Sequence, residues 1–144
     1  MAKEKKRVER PKIRHLCTLG TLIGYGGKKG EWSVEEKLRR IKKAGFDGFV
    51  GRLTMVDREQ VANSGLIFSA TTDMGGAGEV MPKFTAIKDA GARCVNVQML
   101  DHDTPTLQAV ALARRVMAVA DKLEMDVAIE VHRDTCTETP EKAY

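Results

Sequence analysis

The sequence predicts an α/β fold: a partial (β/α) barrel of five parallel strands and about four helices, broken off in its fifth βα unit. Three observations predict it. Short apolar runs alternate with amphipathic helical stretches, the pattern of a parallel sheet with crossover helices. The later strands, read with period two, carry an aliphatic face and a polar face. The polar face becomes more polar toward the C-terminal ends of its strands, where a barrel keeps its ligands.

The strands are expected at 13–19, 46–52, 66–72, 93–99 and 126–132. Between the first two, Ser33 and Glu36 have the spacing of a capping box, Val34, Leu38 and Ile41 follow at helical spacing, and Gly45 supplies a left-handed stop. A short second helix is expected near 57–63. Val80, Phe84 and Ile87 mark the third helix, which stops at Gly91, with Pro82 in its first turn. The fourth opens at Thr104 and Pro105, and its stripe of Leu112, Val116, Val119, Ala120 and Leu123 is suited to cover a sheet. Lys42-Lys43-Ala44-Gly45 and Lys88-Asp89-Ala90-Gly91 precede strands two and four alike, as a βα repeat would have it.

A chain of 144 residues is one folding unit. Its net charge of +4 lies entirely in residues 1–12, with six Lys/Arg against two Glu, and the remainder balances 18 basic against 18 acidic residues. The leader is therefore read as a solvated, disordered tail, and the neutral body offers no surface for nucleic acid. No apolar run approaches the roughly 20 residues of a membrane span, and no signal core follows the basic start, so cytoplasm is the default location. Cys17, Cys94 and Cys136 form neither a disulfide framework nor a zinc ribbon.

The polar face holds the chemistry. Ser69, Thr71 and Asp73 share a face of strand three, Cys94, Asn96 and Gln98 of strand four, and Ala128, Glu130 and His132 of strand five. A parallel sheet normally buries both faces, and a carboxylate such as Glu130 is costly to bury unless paired or metal-bound. A closed barrel resolves this by pointing these groups into its mouth. The competing arrangements are a one-sided sheet with a solvated polar face and a doubly wound domain with satisfied polar core residues. Gln98, His102 and His132 stand as candidate substrate contacts, and Arg133 as a solvated charge or an anion contact. Asp103 and Thr104 are suited to cap the next helix. Glu130 and His132, two apart on a strand, either share a divalent ion or hydrogen-bond to each other. Gly24, Gly26, Gly27 and Gly30 fit neither a dinucleotide fingerprint, which needs glycine at Lys29, nor a phosphate loop, which needs Ser or Thr after Gly-Lys. They suit a flexible loop, with Trp32 packing beside the helix start or lining the site.

His15-Leu16-Cys17-Thr18-Leu19-Gly20, Ala44-Gly45-Phe46-Asp47-Gly48, Val95-Asn96-Val97-Gln98 and Ile129-Glu130-Val131-His132-Arg133-Asp134-Thr135 together resemble the xylose isomerase-like TIM barrels of sugar phosphate isomerases and epimerases. The resemblance implies that Glu130 is both the catalytic residue and a ligand of a divalent Mn, Mg, Co or Zn ion. It implies proton or hydride transfer beside a carbonyl of a small sugar or sugar-phosphate substrate, with His132 touching that substrate. The remaining metal ligands would come from later strands. The glutamate that many relatives carry after the second strand is missing from Phe49-Val50-Gly51-Arg52. A full barrel takes about 250 residues, so a truncated product or fragment is expected. Its alternatives are an inactive half-barrel that self-associates through open sheet edges and a metal-dependent nuclease of the endonuclease IV type.

Overall fold

A computed structural model describes residues 12–27 and 30–143. The leader expected at 1–12 lies, but for Lys12, outside the described residues. The elements run β1 (Leu16–Thr18), a 3-10 turn (Leu19–Leu22), α1 (Val34–Lys43), β2 (Gly48–Gly51), α2 (Arg58–Ser64), β3 (Ile67–Met74), α3 (Ala77–Asp89), β4 (Cys94–Met99), α4 (Thr106–Leu123), β5 (Asp126–Ile129) and α5 (Pro140–Ala143). All pairs are parallel, and the strand order is β1-β2-β3-β4-β5. This order separates a barrel from a doubly wound sheet. Crossovers between parallel strands are right-handed, so a sheet that grows always in one direction receives all its helices on one face. The five strands are a partial barrel wall with α1 against α2 and α3 against α4 outside it.

Alternation along the strands builds the core. Phe49, Phe68, Ala70, Val95 and Val97 point to the helical layer and are almost wholly buried, where Leu38, Ile41, Val80, Phe84, Ile87, Leu112, Val116 and Val119 meet them. Phe49 and Phe68, register partners on β2 and β3, stack with ring centroids 4.9 Å apart. Each fully buried side chain of this size contributes about 1.5–3 kcal/mol of transfer free energy.

The helix punctuation follows the sequence at most ends. Gly45 and Gly91 take φ of 88° and 89° at the stops of α1 and α3, a conformation that costs glycine nothing. Asp57 and Gln60 form a complete reciprocal capping box on α2. At α1 only half of the expected box exists: Ser33 accepts from the Glu36 N–H, while the Glu36 side chain turns to Arg39 and Arg40. Two guanidinium partners within one turn hold its carboxyl down at about 2. The cap expected from Asp103 and Thr104 is not made. Pro105 occupies that position and no side chain caps α4, because residues 101–104 close their own turn through the Thr104 N–H and the Asp101 carbonyl.

The Ala44-Gly45-Phe46-Asp47-Gly48 junction has a mechanical explanation. Gly45 ends the helix. Asp47 accepts from the His15 N–H and from Arg14, both at 3.0 Å, and its own N–H returns to the His15 carbonyl, which pins β1 beside β2. At Gly48 a Cβ would lie 2.2 Å from the Ile67 carbonyl oxygen, so only glycine lets β2 and β3 close.

The His15 N–H, then Arg14, hold the Asp47 carboxyl below its ordinary value. A depressed carboxyl stabilises the fold above the unfolded value of about 3.9 and loses that contribution as pH falls through the folded one. Protection of the β1 amides against hydrogen exchange is therefore expected to persist at pH 5 and to decline below about pH 4. Asp47→Ala should lose that protection already at pH 7 and abolish its pH dependence, with the α3 and α4 amides unaffected.

Candidate functional site

The other face of the sheet is polar and open. Register places Thr71 opposite Asn96, Asp73 opposite Gln98, and Asn96 opposite Ala128. β5 is shorter than expected, ending at Ile129, yet the Glu130 N–H still donates to the Val97 carbonyl at 2.9 Å and keeps Glu130 in line with Gln98. The carboxylate is then held by one oxygen. Asn96 Nδ2 and Gln98 Nε2 both donate to Glu130 Oε2, at 2.5 and 3.0 Å, while Oε1 has no donor among the described residues. Two fixed amides orient the group and leave its second oxygen without a donor among the described residues, as a positioned proton acceptor requires, while Glu130 itself is not among the residues that line the cavity at these strand ends. Gln98, expected to touch substrate, thus serves first to position Glu130.

The segment after Glu130 is bound tightly from below. Thr137 Oγ1 donates to the Glu130 carbonyl at 2.8 Å, Thr135 Oγ1 to the His132 carbonyl at 2.6 Å, and the Cys136 N–H to the Met99 carbonyl at 3.1 Å. Thr135, Cys136 and Thr137 are buried, and burial pushes the Cys136 thiol up. His132 Nδ1 lies 2.6 Å from the Arg133 carbonyl, which can only accept, so Nδ1 carries the hydrogen and Nε2 is left to the mouth. Glu130 and His132 are not bonded to each other, and each is fixed by a different neighbour.

A cavity of about 320 Å³ opens at these strand ends, lined among others by Asp73, Gln98, Asp101, His132 and Arg133. Two of its lining residues, Leu100 and Asp134, hold left-handed backbone at φ 52° and 60°. Non-glycine residues in that region cost about 1–3 kcal/mol, and such strain collects at functional sites. His102 stands apart, exposed in the turn after β4 and outside the cavity lining. Trp32 packs beside the helix start, with its ring 5.5 Å from Tyr25 and the Arg40 guanidinium 3.9 Å above it.

The residue that sequence reasoning passed over is Arg52. Where a glutamate was looked for after the second strand, the chain supplies a cation, and its fork takes Asp73 bidentately at 2.6 and 2.9 Å. Arg52 and Asp73 reinforce one another: the arginine holds the Asp73 carboxyl down, and Asp73, with Glu130 behind it, holds the guanidinium up. The signal was present, since Gly48, Val50 and Arg52 alternate onto the same face as Thr71 and Asp73.

No family model and no curated protein matches the chain. Among solved structures it is similar to a dihydrodipicolinate synthase, with a TM-score of 0.58 at 14% identity over 81% of this chain and 45% of that one. It is also similar to PhdJ bound to a substrate intermediate, with a TM-score of 0.55 at 10% identity over 83% of this chain and 41% of that one. The fold is part of a TIM barrel. The chain spans less than half the length of either neighbour. These likenesses overturn the xylose isomerase-like resemblance, and the isomerase, epimerase and nuclease readings lose their basis with it. The metal role of Glu130 rested on the same resemblance. Among the described residues no three His, Cys, Asp or Glu side chains converge as a metal site would need. Among those residues no helix is long and apolar enough to cross a membrane.

A carboxylate whose side-chain partners are two amides on an open face contributes little to stability. Glu130→Ala is expected to change the free energy of unfolding by less than about 1 kcal/mol, since water can satisfy Asn96 and Gln98 in an open mouth. A urea titration that showed a loss above about 2 kcal/mol would make Glu130 a structural residue.

Proposed function

We propose that the mouth of this partial barrel performs general acid–base chemistry on a small polar molecule, with Glu130 moving a proton at a carbon or hydroxyl beside a carbonyl group. One observation carries the reading: Glu130 Oε2 is held by Asn96 and Gln98 while Oε1 has no donor among the described residues. The surroundings support it. His132 Nε2 and Arg133, which line the mouth cavity, are the groups available to stabilise oxygen charge that develops as the proton leaves. The substrate class that suits such a mouth is a small hydroxylated or oxyanion-bearing compound, sugars and sugar phosphates among them, with Gln98 and His132 as contacts; His102 would join only by movement of its turn. The fold-level likeness to a synthase and to a barrel that holds a substrate intermediate agrees with enzymatic use of this face.

The test is solvent deuterium exchange. Small keto acids, ketoses and aldoses incubated with the protein in heavy water are expected to take up deuterium beside the carbonyl, followed by proton NMR. Glu130→Gln should slow that uptake by about 10²- to 10⁴-fold. Uptake that is equal in the variant ends the proposal.

A second reading has its own observation. Val131 is 66% exposed beside the β5 edge, and Leu107, Val110 and Met117 are exposed on α4. Unpaired strand edges recruit other strands, so this side is also suited to self-association through the open sheet edge. Light scattering after size exclusion should then show a species larger than the 15.9 kDa chain, reduced to monomer by Val131→Lys with Met117→Lys. A monomeric wild type at high concentration removes this reading and leaves the first untouched.

A further inference from the structure

A second cavity, of about 280 Å³, lies beside the ends of β2 and β3 and the middle and last turn of α3. Its polar wall is formed by Arg52, Lys83, Thr54, Thr71 and Asp73. Thr72 also lines the cavity, its hydroxyl committed to the Asp73 carbonyl at 3.3 Å, so two cations and three hydroxyls stand beside one carboxylate. The Thr54 and Thr71 hydroxyls donate to no partner among the described residues, and Lys83 Nζ is anchored at the rim on the Asp73 carbonyl at 2.8 Å and on Glu79 at 2.6 Å. The Arg52 fork shows what it accepts here: a planar pair of oxygens, supplied by Asp73. Guanidinium and carboxylate or phosphate match in this bidentate geometry.

We propose that this cavity is a subsite for a small oxyanion, a carboxylate or a phosphate group, with Arg52 and Lys83 as its cations and Thr54 and Thr71 as neutral donors. Asp73 is the internal competitor for the Arg52 fork. An arriving anion takes over one or both fork positions, and the Asp73 side chain, 60% exposed, is free to swing into water. Asp73 also borders the mouth cavity beside Gln98 and His132. A molecule anchored by its anionic end at Arg52 would therefore extend across Asp73 toward the Glu130 side. The subsite itself does not depend on Glu130 acting on a proton.

The experiment is a titration of the full chain with inorganic phosphate and, separately, with acetate at low ionic strength, by calorimetry and by chemical-shift changes at the Arg52 Nε–H. Saturable binding of either anion is expected. Asp73→Asn should tighten it several-fold by removing the competitor, while Arg52→Gln and Lys83→Ala, checked as folded by circular dichroism, should each weaken it by about tenfold or more. Glu130→Gln removes a negative charge that acts on Arg52 and should leave binding intact or slightly tighter, never weaker, so that the subsite and the acid–base reading fail separately. The preferred anion identifies the group carried by the natural ligand. Absence of saturable binding in both wild type and Asp73→Asn overturns the proposal, as does binding indifferent to both Arg52→Gln and Lys83→Ala.

Discussion

A parallel sheet in which every crossover moves to the next strand in the same direction receives helices on one side alone, and most of this structure depends on that constraint. The aliphatic residues of β2 to β5 lie under α1 to α4, where Phe49, Phe68, Val95 and Val97 are closed off from water. The opposite residues are left to find polar partners or solvent. Asn96 and Gln98 find Glu130, and Arg52 finds Asp73. The mouth chemistry thus follows from topology: the same alternation that fills the core delivers amides, carboxylates and a guanidinium to the other face.

Much of this arrangement was legible because it obeys local rules. The period-two face of β3 to β5, the glycine stops at Gly45 and Gly91, and the Val80, Phe84 and Ile87 stripe are consequences of backbone geometry that sequence displays directly. What escaped is set by distance between strands. That Asn96 and Gln98 would converge on a single oxygen of Glu130 requires the register of β4 against β5. The Arg52 to Asp73 pair requires β2 against β3 and two further residues of reach. The α4 start was misjudged for a different reason: Asp103 and Thr104 have the chemistry of a cap, but Asp101 and Thr104 closed a turn first.

The family resemblance failed instructively. Gly45 is needed for its left-handed backbone, Asp47 for its clamp on β1, and Gly48 because the Ile67 carbonyl leaves no space for a side chain. A run that satisfies three mechanical demands of a βα junction reports on barrel construction, and barrels of unrelated chemistry share those demands. Glu130 at the end of the fifth strand took its metal from the same resemblance, and among the described residues no cluster of three ligands forms around it. What the structure shows of it is a carboxylate held still by two amides on one oxygen, with no donor on the other among the described residues.

Sequential strand order also has a consequence for biosynthesis. A ribosome releases the chain from its N-terminus at about 5–20 residues per second, and each strand here pairs with the one released immediately before it. Among the described strands none must wait for a distant partner, so this part of the wall can lengthen by one βα unit at a time during translation. β1, the shortest of the described strands, is secured to β2 by the Asp47 clamp as soon as β2 emerges.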